Sequence, residues 1–344
     1  MQRTGRCYIV PPGLLEEIAR TEAPEIVADA LSTLARDRRF RVARAESVAR
    51  MPATRPVTFN RLGGRPLRSV SDQKHLEIQT PGEIMRSEGA PAVPDDAVNQ
   101  AYEGLGATYD FYWTHFGRDS LDGDGMALRS GVHFGRNYGN AFWDGSGVIY
   151  FGDGDGRAFL NMARGIDIIG HELTHGVIQA EANLSFSGQA GALNEGIADA
   201  FGIMIKQWAQ GQTAADSDWL IGVDVVGPVI RPGALRSLKA PGTANVKDHQ
   251  VARMDDYLPD GDVHMNSGIP GHAFYLTCLQ AGGNSWDAVG RVWYAALRDN
   301  ALNVNATFEE FAARTVRQAG ELFGMNSDIV HAVRHGWEGV QVKT

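Results

Sequence analysis

Cysteine is almost absent. Cys7 and Cys278 are the two in 344 residues, too few for the disulfide framework that staples small secreted domains, so a reducing compartment is the default expectation. Long apolar runs are missing too. No stretch reaches the roughly 18 apolar residues of a membrane span. Cys7-Tyr8-Ile9-Val10 is cut short by Pro11-Pro12 before it attains the roughly seven residues of a secretory apolar segment. The acids Glu16, Glu17, Glu22, Glu25 and Asp29 argue against a transit peptide. The expectation is a soluble chain without a membrane partner, cytoplasmic by default, with export by a non-standard route left open. Positive charge is also in short supply: 32 Lys and Arg stand against 41 Asp and Glu, net −9. No global field gathers a nucleic-acid backbone, which excludes generic nucleic-acid binding.

The basic residues are unevenly placed. Residues 1–50 hold nine Arg, no Lys and seven acids, net +2, and the remaining 23 basic and 34 acidic residues sum to −11. Residues 14–19 and 24–38 read as helical, Pro24 suiting a first helical position and Ile26, Ala30, Leu31 and Leu34 forming an apolar stripe. Short β-type runs at 57–59 and 75–78 are broken by Gly63-Gly64 and prolines, and 86–94 reads as a loop. Pro94-Asp95-Asp96 opens a long helix with Val98, Tyr102, Leu105, Tyr109 and Tyr112 at helical spacing. Gly-rich β material spans 131–156. Helical patterns follow at 166–181, 193–208, 266–279, 286–297, 307–323 and 327–335, with a Thr307/Glu310 capping box. The expected fold class is α+β, with a β-rich half (51–183), a central helix and a helical half (184–344), preceded by a small helical unit (1–50).

The strongest chemical signal is His171-Glu172-Leu173-Thr174-His175. On a helix, residues four apart share a face, so both imidazoles point at one ion while Glu172 sits beside it. Zinc accepts neutral imidazole nitrogens, and a catalytic zinc keeps one position open for water, so a third protein ligand is required. Glu195 follows after nineteen intervening residues, enough for a turn and a second packed helix. Asp199, four residues later, is placed to accept the other ring N–H of a liganding histidine. The implied chemistry is zinc-assisted hydrolysis with Glu172 as general base. A metzincin would need Gly and His where Ile178 and Glu181 stand.

Six segments in order make the chain resemble the thermolysin-like metallopeptidases from about residue 86 onward. They are Asn140-Ala141-Phe142-Trp143-Asp144-Gly145, Gly152-Asp153-Gly154-Asp155-Gly156, the zinc helix, Gly191-Ala192-Leu193-Asn194-Glu195, Ala234-Leu235-Arg236-Ser237-Leu238 and Val263-His264-Met265-Asn266-Ser267-Gly268. The resemblance implies a two-domain thermolysin-like fold in which His264 donates to the developing oxyanion. It implies that Asn140, Ala141 and Trp143 pair with the substrate backbone, and that Arg236 meets the carbonyl after the scissile bond. Phe159, Met162, Ile168, Ile221, Val225 and Leu235 are then expected to line an apolar primed-side pocket, giving cleavage before bulky hydrophobic residues.

Three departures qualify the resemblance. Phe186 stands where the family has a tyrosine, removing one oxyanion donor, a loss of the kind that costs about 3–4 kcal/mol. Pro259 replaces the acid that orients the second histidine, and of the neighbouring Asp260 and Asp262 the expected substitute is Asp260. Asp167 and Asp218 fit the family's paired calcium site, but Lys206, Leu220 and Val223 occupy its other positions, so that site is expected to be absent, with Lys206 paired to the Asp167 region. The motifs at 152–156 and 119–124 are expected to serve as turns.

Cys7 to Leu15 resembles the short propeptide of the protealysin-like branch, implying that residues 1–50 cover the catalytic cleft and are removed near Arg50-Met51. Cys7 is then either a zinc-binding thiolate or buried packing. Peptide or protein substrates are the expected partners. An aminopeptidase would need an acidic anchor for which no motif is evident. A catalytically weakened zinc- or peptide-binding module draws on Phe186 and the altered Asp260 loop, although retention of Glu172 argues against it.

Overall fold

The computed structural model describes residues 8–48, 64–80 and 82–344, and over 41–48 the backbone alone. Helices α1 (Pro12–Thr21) and α2 (Pro24–Val48) form the N-terminal unit. The β-containing half carries β1 (Arg68–Asp72), β2 (Glu83–Ser87), α3 (Asp96–Phe116), β3 (Leu128–Val132), β4 (Ala141–Trp143), β5 (Val148–Phe151) and α4 (Ile166–Glu181). The helical half carries α5 (Gly188–Gln210), the short pair β6 (Leu220–Ile221) and β7 (Arg236–Ser237), then α6 (Val263–Asn266), α7 (Gly268–Ala281), α8 (Ala288–Leu297), α9 (Phe308–Phe323) and α10 (Asp328–Gly339). The sheet order is β2-β1-β3-β5-β4, with parallel pairing at β1/β3 and β3/β5 and antiparallel pairing at both margins. That order leaves β4 at an edge of the sheet, open to pair with another extended segment.

Several expectations change: the helix expected at 24–38 runs on to Val48, and the loop expected from 86 begins inside β2. Residues 75–78 form no strand: Lys74 and His75 adopt left-handed backbone (φ 52° and 59°), and the Leu76 N–H closes a turn onto the Gln73 carbonyl. Helix α5 begins five residues before the expected 193. Its first turn contains Gly188 and Gly191, poor helix formers in isolation, but a Cβ on Gly191 would lie 2.7 Å from the Phe186 carbonyl carbon, so close packing there requires glycine. The expected run at 57–59 lies outside the described residues. The Thr307/Glu310 capping box is present, with both reciprocal bonds made.

α4 is the central helix, buried from Asp167 to Ile178. It packs against α5 at a glycine crossing, where a Cβ on Gly202 would lie 2.6 Å from the Asp167 carbonyl oxygen. This close approach brings side chains from both helices around one point.

At the other end of the sheet, His133 links three elements. Its Nε2 lies 2.9 Å from Asp95 Oδ2, the N-cap of α3, and its Nδ1 lies 2.9 and 3.0 Å from the two oxygens of Asp153, which His75 also approaches at 3.4 Å. The hydrogen bond to Asp153, helped by Asp95 and opposed by partial burial, pushes the His133 pKa from 6.5 up to about 9. A raised pKa gives stabilisation that is complete below 6.5 and lost as pH climbs through about 9. With solvent screening of these half-buried groups, the contribution is about 1–2 kcal/mol. Thermal denaturation is expected to show His133→Gln less stable than wild type at pH ~6, with the gap narrowing by pH ~10; a gap that does not change with pH contradicts the assignment.

Candidate active site

The α4–α5 crossing sets His171, His175 and Glu195 together, with one ligand atom from each within 4.8 Å of the others. His171 Nε2 and His175 Nε2 are 3.0 Å apart, and the Glu195 oxygens lie 3.4 Å and 3.8 Å from them. All three residues are buried, and both Glu195 oxygens accept no hydrogen bond from the described residues. Two imidazole nitrogens and an unsatisfied carboxylate converging in a buried space is a donor set suited to a metal ion. Burial alone would raise the Glu195 pKa, but His264, His175 and His171 hold it well below the usual carboxylate range. Burial, reinforced by His171, pushes His175 down to about 4 and keeps it neutral, the form that ligates.

Outer contacts orient each ligand. Asp199 Oδ1 lies 2.9 Å from His171 Nδ1. Asn194 Oδ1 lies 2.9 Å from His175 Nδ1, and the Asn194 amide donates to the Leu184 carbonyl at 3.2 Å. The role of Asn194 was not anticipated from the sequence, though its place beside Glu195 on the same helix was the available signal. Arg236, fully buried on β7, binds Asp199 with two parallel bonds of 2.8 and 2.7 Å, a bidentate pairing that ties it to the cage through His171.

Glu172 points to the same space. Its Oε2 accepts the Trp143 N–H of edge strand β4 at 2.8 Å, and its Oε1 has no partner among the described residues. Burial, with Glu195 adding to it and His171 opposing, pushes its pKa up to about 7. His264 Nε2 stands 3.5 Å from Glu195 Oε2 on the opposite side. Asp262, not Asp260, orients it. The Asp262 carboxylate caps α6, and its Oδ1 accepts the His264 backbone N–H at 2.9 Å and lies 2.6 Å from Nδ1. The cap fixes that oxygen over the first turn, whereas Asp260 sits exposed in the preceding turn. Burial opposes protonation of His264, but Glu195 and Asp262 outweigh it and raise the pKa, favouring the imidazolium that donates from both nitrogens.

The N-terminal segment lies in this cleft. The Tyr8 carbonyl oxygen is 2.8 Å from His264 Nε2. Ile9 donates its N–H to the Ala141 carbonyl at 3.2 Å, and its own carbonyl accepts from Arg236 Nη1 at 2.6 Å. Val10 exchanges both backbone groups with the Asn140 side chain, at 2.9 and 3.2 Å. Phe159, Met162, Ile168, Ile221, Val225 and Leu235 are all buried in the apolar cluster that includes Ile9. Behind the segment, the buried Asp37 of α2 accepts from Tyr138 Oη at 2.6 Å and from the Asn140 amide at 3.0 Å. Charge at this interface runs both ways: Arg36 and Arg39 pair with Glu77, while Glu22 and Glu25 meet Lys247 and Arg157. Cys7 and the Arg50-Met51 bond lie outside the described residues.

Phe186 adds no hydroxyl to the cleft. Lys206 Nζ binds both oxygens of Asp218 (2.9 and 3.1 Å) and the Leu220 carbonyl (2.9 Å), so its direct partner is Asp218 rather than Asp167, whose carboxylate instead accepts the Gly222 and Ile168 N–H groups. Asp155 and Asp122 accept backbone N–H groups of their own loops.

A two-His, one-Glu metal cage with a free carboxylate beside it, closed over by an extended peptide, defines a metallopeptidase. Residues 68–179 match the thermolysin metallopeptidase catalytic domain, and residues 182–342 match the thermolysin metallopeptidase alpha-helical domain. The chain is 40% identical to an extracellular metalloprotease of Pectobacterium carotovorum subsp. carotovorum, over 98% of this chain and 96% of that one. It is 39% identical to protease PrtS of a Photorhabdus species, over 97% and 92%. The precursor of protealysin, a metalloproteinase from Serratia proteamaculans, superposes with a TM-score of 0.86 at 39% identity, covering 98% of this chain and 99% of that one. The protein belongs to the thermolysin family of metallopeptidases.

Proposed function

We propose that the chain is a zinc-dependent endopeptidase made as a zymogen, which cuts peptide bonds on the N-terminal side of bulky hydrophobic residues. The observation that carries this reading is the placing of a backbone carbonyl, that of Tyr8, against His264 beside the His171, His175 and Glu195 cage. His171, His175 and Glu195 would hold the zinc, which would supply a water of lowered pKa, towards ~7, and polarisation of the carbonyl. Glu172 Oε1 is the free acceptor for the water's proton, which the same carboxyl then passes to the leaving amine. The Trp143 N–H holds the other oxygen. His264 donates to the carbonyl oxygen as it gains charge, with Asp262 fixing the ring. Without a tyrosine hydroxyl at Phe186, more of that stabilisation falls on His264. Ala141, Asn140 and Arg236 hold the substrate backbone as an added strand on β4.

Phe159, Met162, Ile168, Ile221, Val225 and Leu235, buried in the same apolar cluster as Ile9, would favour a bulky apolar residue after the cut by about 1.5–3 kcal/mol, or about 10- to 150-fold in kcat/KM. Removing the metal with a chelator is expected to abolish cleavage of a peptide with Leu after the scissile bond, and adding Zn2+ to restore it. The same peptide with Asp there is expected to be cut more slowly by that factor. Full activity in the chelator, or no preference between the two peptides, contradicts the proposal.

A further inference from the structure

We propose that the Tyr8–Ile9 bond is this protein's own first substrate, hydrolysed in cis while the chain from Ile9 onward stays in the cleft. This inference rests on the peptidase reading above. Both polar atoms of that peptide group already have hydrogen-bond partners in the site. The Tyr8 carbonyl oxygen is 2.8 Å from His264 Nε2, which is itself 3.5 Å from Glu195 Oε2 of the cage. The Ile9 nitrogen donates to the carbonyl of Ala141, two residues before the Trp143 that holds Glu172. The peptide group is therefore held at both ends, its oxygen by the histidine beside the metal cage and its nitrogen on the strand whose Trp143 binds Glu172.

The register is also pinned. Val10 is the last residue able to give an N–H to Asn140 Oδ1, because Pro11 has none. Sliding the chain to bring Ile9–Val10 over the cage would set Pro11 opposite Asn140 and lose that bond. A plug needs only bulk, whereas this segment presents its backbone in one direction with hydrogen bonds on every group from the Tyr8 carbonyl to the Val10 carbonyl.

In the reaction, water adds its oxygen to the Tyr8 carbonyl carbon, the bond to the Ile9 nitrogen breaks, and both of the water's protons end on that nitrogen, the first carried by Glu172. The products are a Tyr8 carboxylate on residues 1–8 and a new amino terminus at Ile9. The cut does not empty the cleft. Arg236 still holds the Ile9 carbonyl, Asn140 still holds Val10, and Asp37 still reaches Tyr138 and Asn140 from α2. The remaining segment stays in place until the chain is severed further along.

Intact-mass measurement on the full-length, zinc-loaded protein tests this. The expected result is loss of residues 1–8 and a new N-terminal Ile9, at a rate unchanged over a tenfold dilution and absent in Glu172→Gln. Ile9→Asp is expected to abolish the cut at that bond. An intact Tyr8–Ile9 bond in the full-length protein, when matured protein cuts an added peptide, overturns the inference and leaves the peptidase reading standing. Matured protein that cuts no added peptide overturns both, and a rate proportional to concentration overturns hydrolysis in cis. Hydrogen exchange gives a readout that needs no turnover. In metal-free Glu172→Gln, the Ile9 and Val10 amides are expected to exchange at least about 100-fold more slowly than in the denatured chain, and exchange at the denatured rate overturns the register.

Discussion

Glu172→Gln lowers kcat by about 10²–10⁴-fold, the range supplied by a positioned general acid–base group. Glutamine keeps the shape and still accepts the Trp143 N–H, so the strand β4 contact and the fold survive. What is lost is a carboxyl that can take a proton from water and return it to an amine. Because Glu172 is not one of the three converging ligands, metal content is expected to be unchanged, and KM to stay within about twofold. A variant that loses both metal and activity would make Glu172 a ligand, and one that keeps wild-type kcat would remove it from the chemistry.

The second large effect is on the metal itself. Glu195→Gln removes the charge that faces His171, His175 and His264 and whose oxygens accept no hydrogen bond from the described residues. Loss of an outer partner such as Asn194, which orients His175 from 2.9 Å, costs about 10–100-fold in metal affinity. Glu195→Gln is expected to cost more than that, and to lower activity in proportion to the metal lost. Competition against a chelator of known affinity ranks wild type, Asn194→Ala and Glu195→Gln in that order. Equal affinity for wild type and Glu195→Gln would place the ion elsewhere.

Much of this site was legible because helical spacing is a local property. His171, Glu172 and His175 share a helix turn, and Glu195 with Asp199 repeats the four-residue interval on the next helix, so the cage follows once two helices pack. The glycines that let them pack, at 170 and 202, carried no such local signal. Asp262 was passed over for Asp260 because the choice depends on which acid caps a four-residue helix, a matter of loop geometry. Asp37 carries no local signal either; its burial against Tyr138 and Asn140 joins residues more than a hundred positions apart. The contact between Tyr8 and His264 spans 256 positions. It rests on β4 being the sheet's edge strand, a fact of topology that no local run of sequence contains.

The central claim, a metal-dependent endopeptidase, is tested most directly by incubating the zinc-loaded, matured protein with a denatured protein substrate and identifying every cut by mass spectrometry. The account predicts internal cuts concentrated before Leu, Ile, Phe and similar residues, absent with chelator and absent in Glu172→Gln. No cuts, a ladder trimmed residue by residue from the substrate's N-terminus, or the same cuts from Glu172→Gln would contradict it.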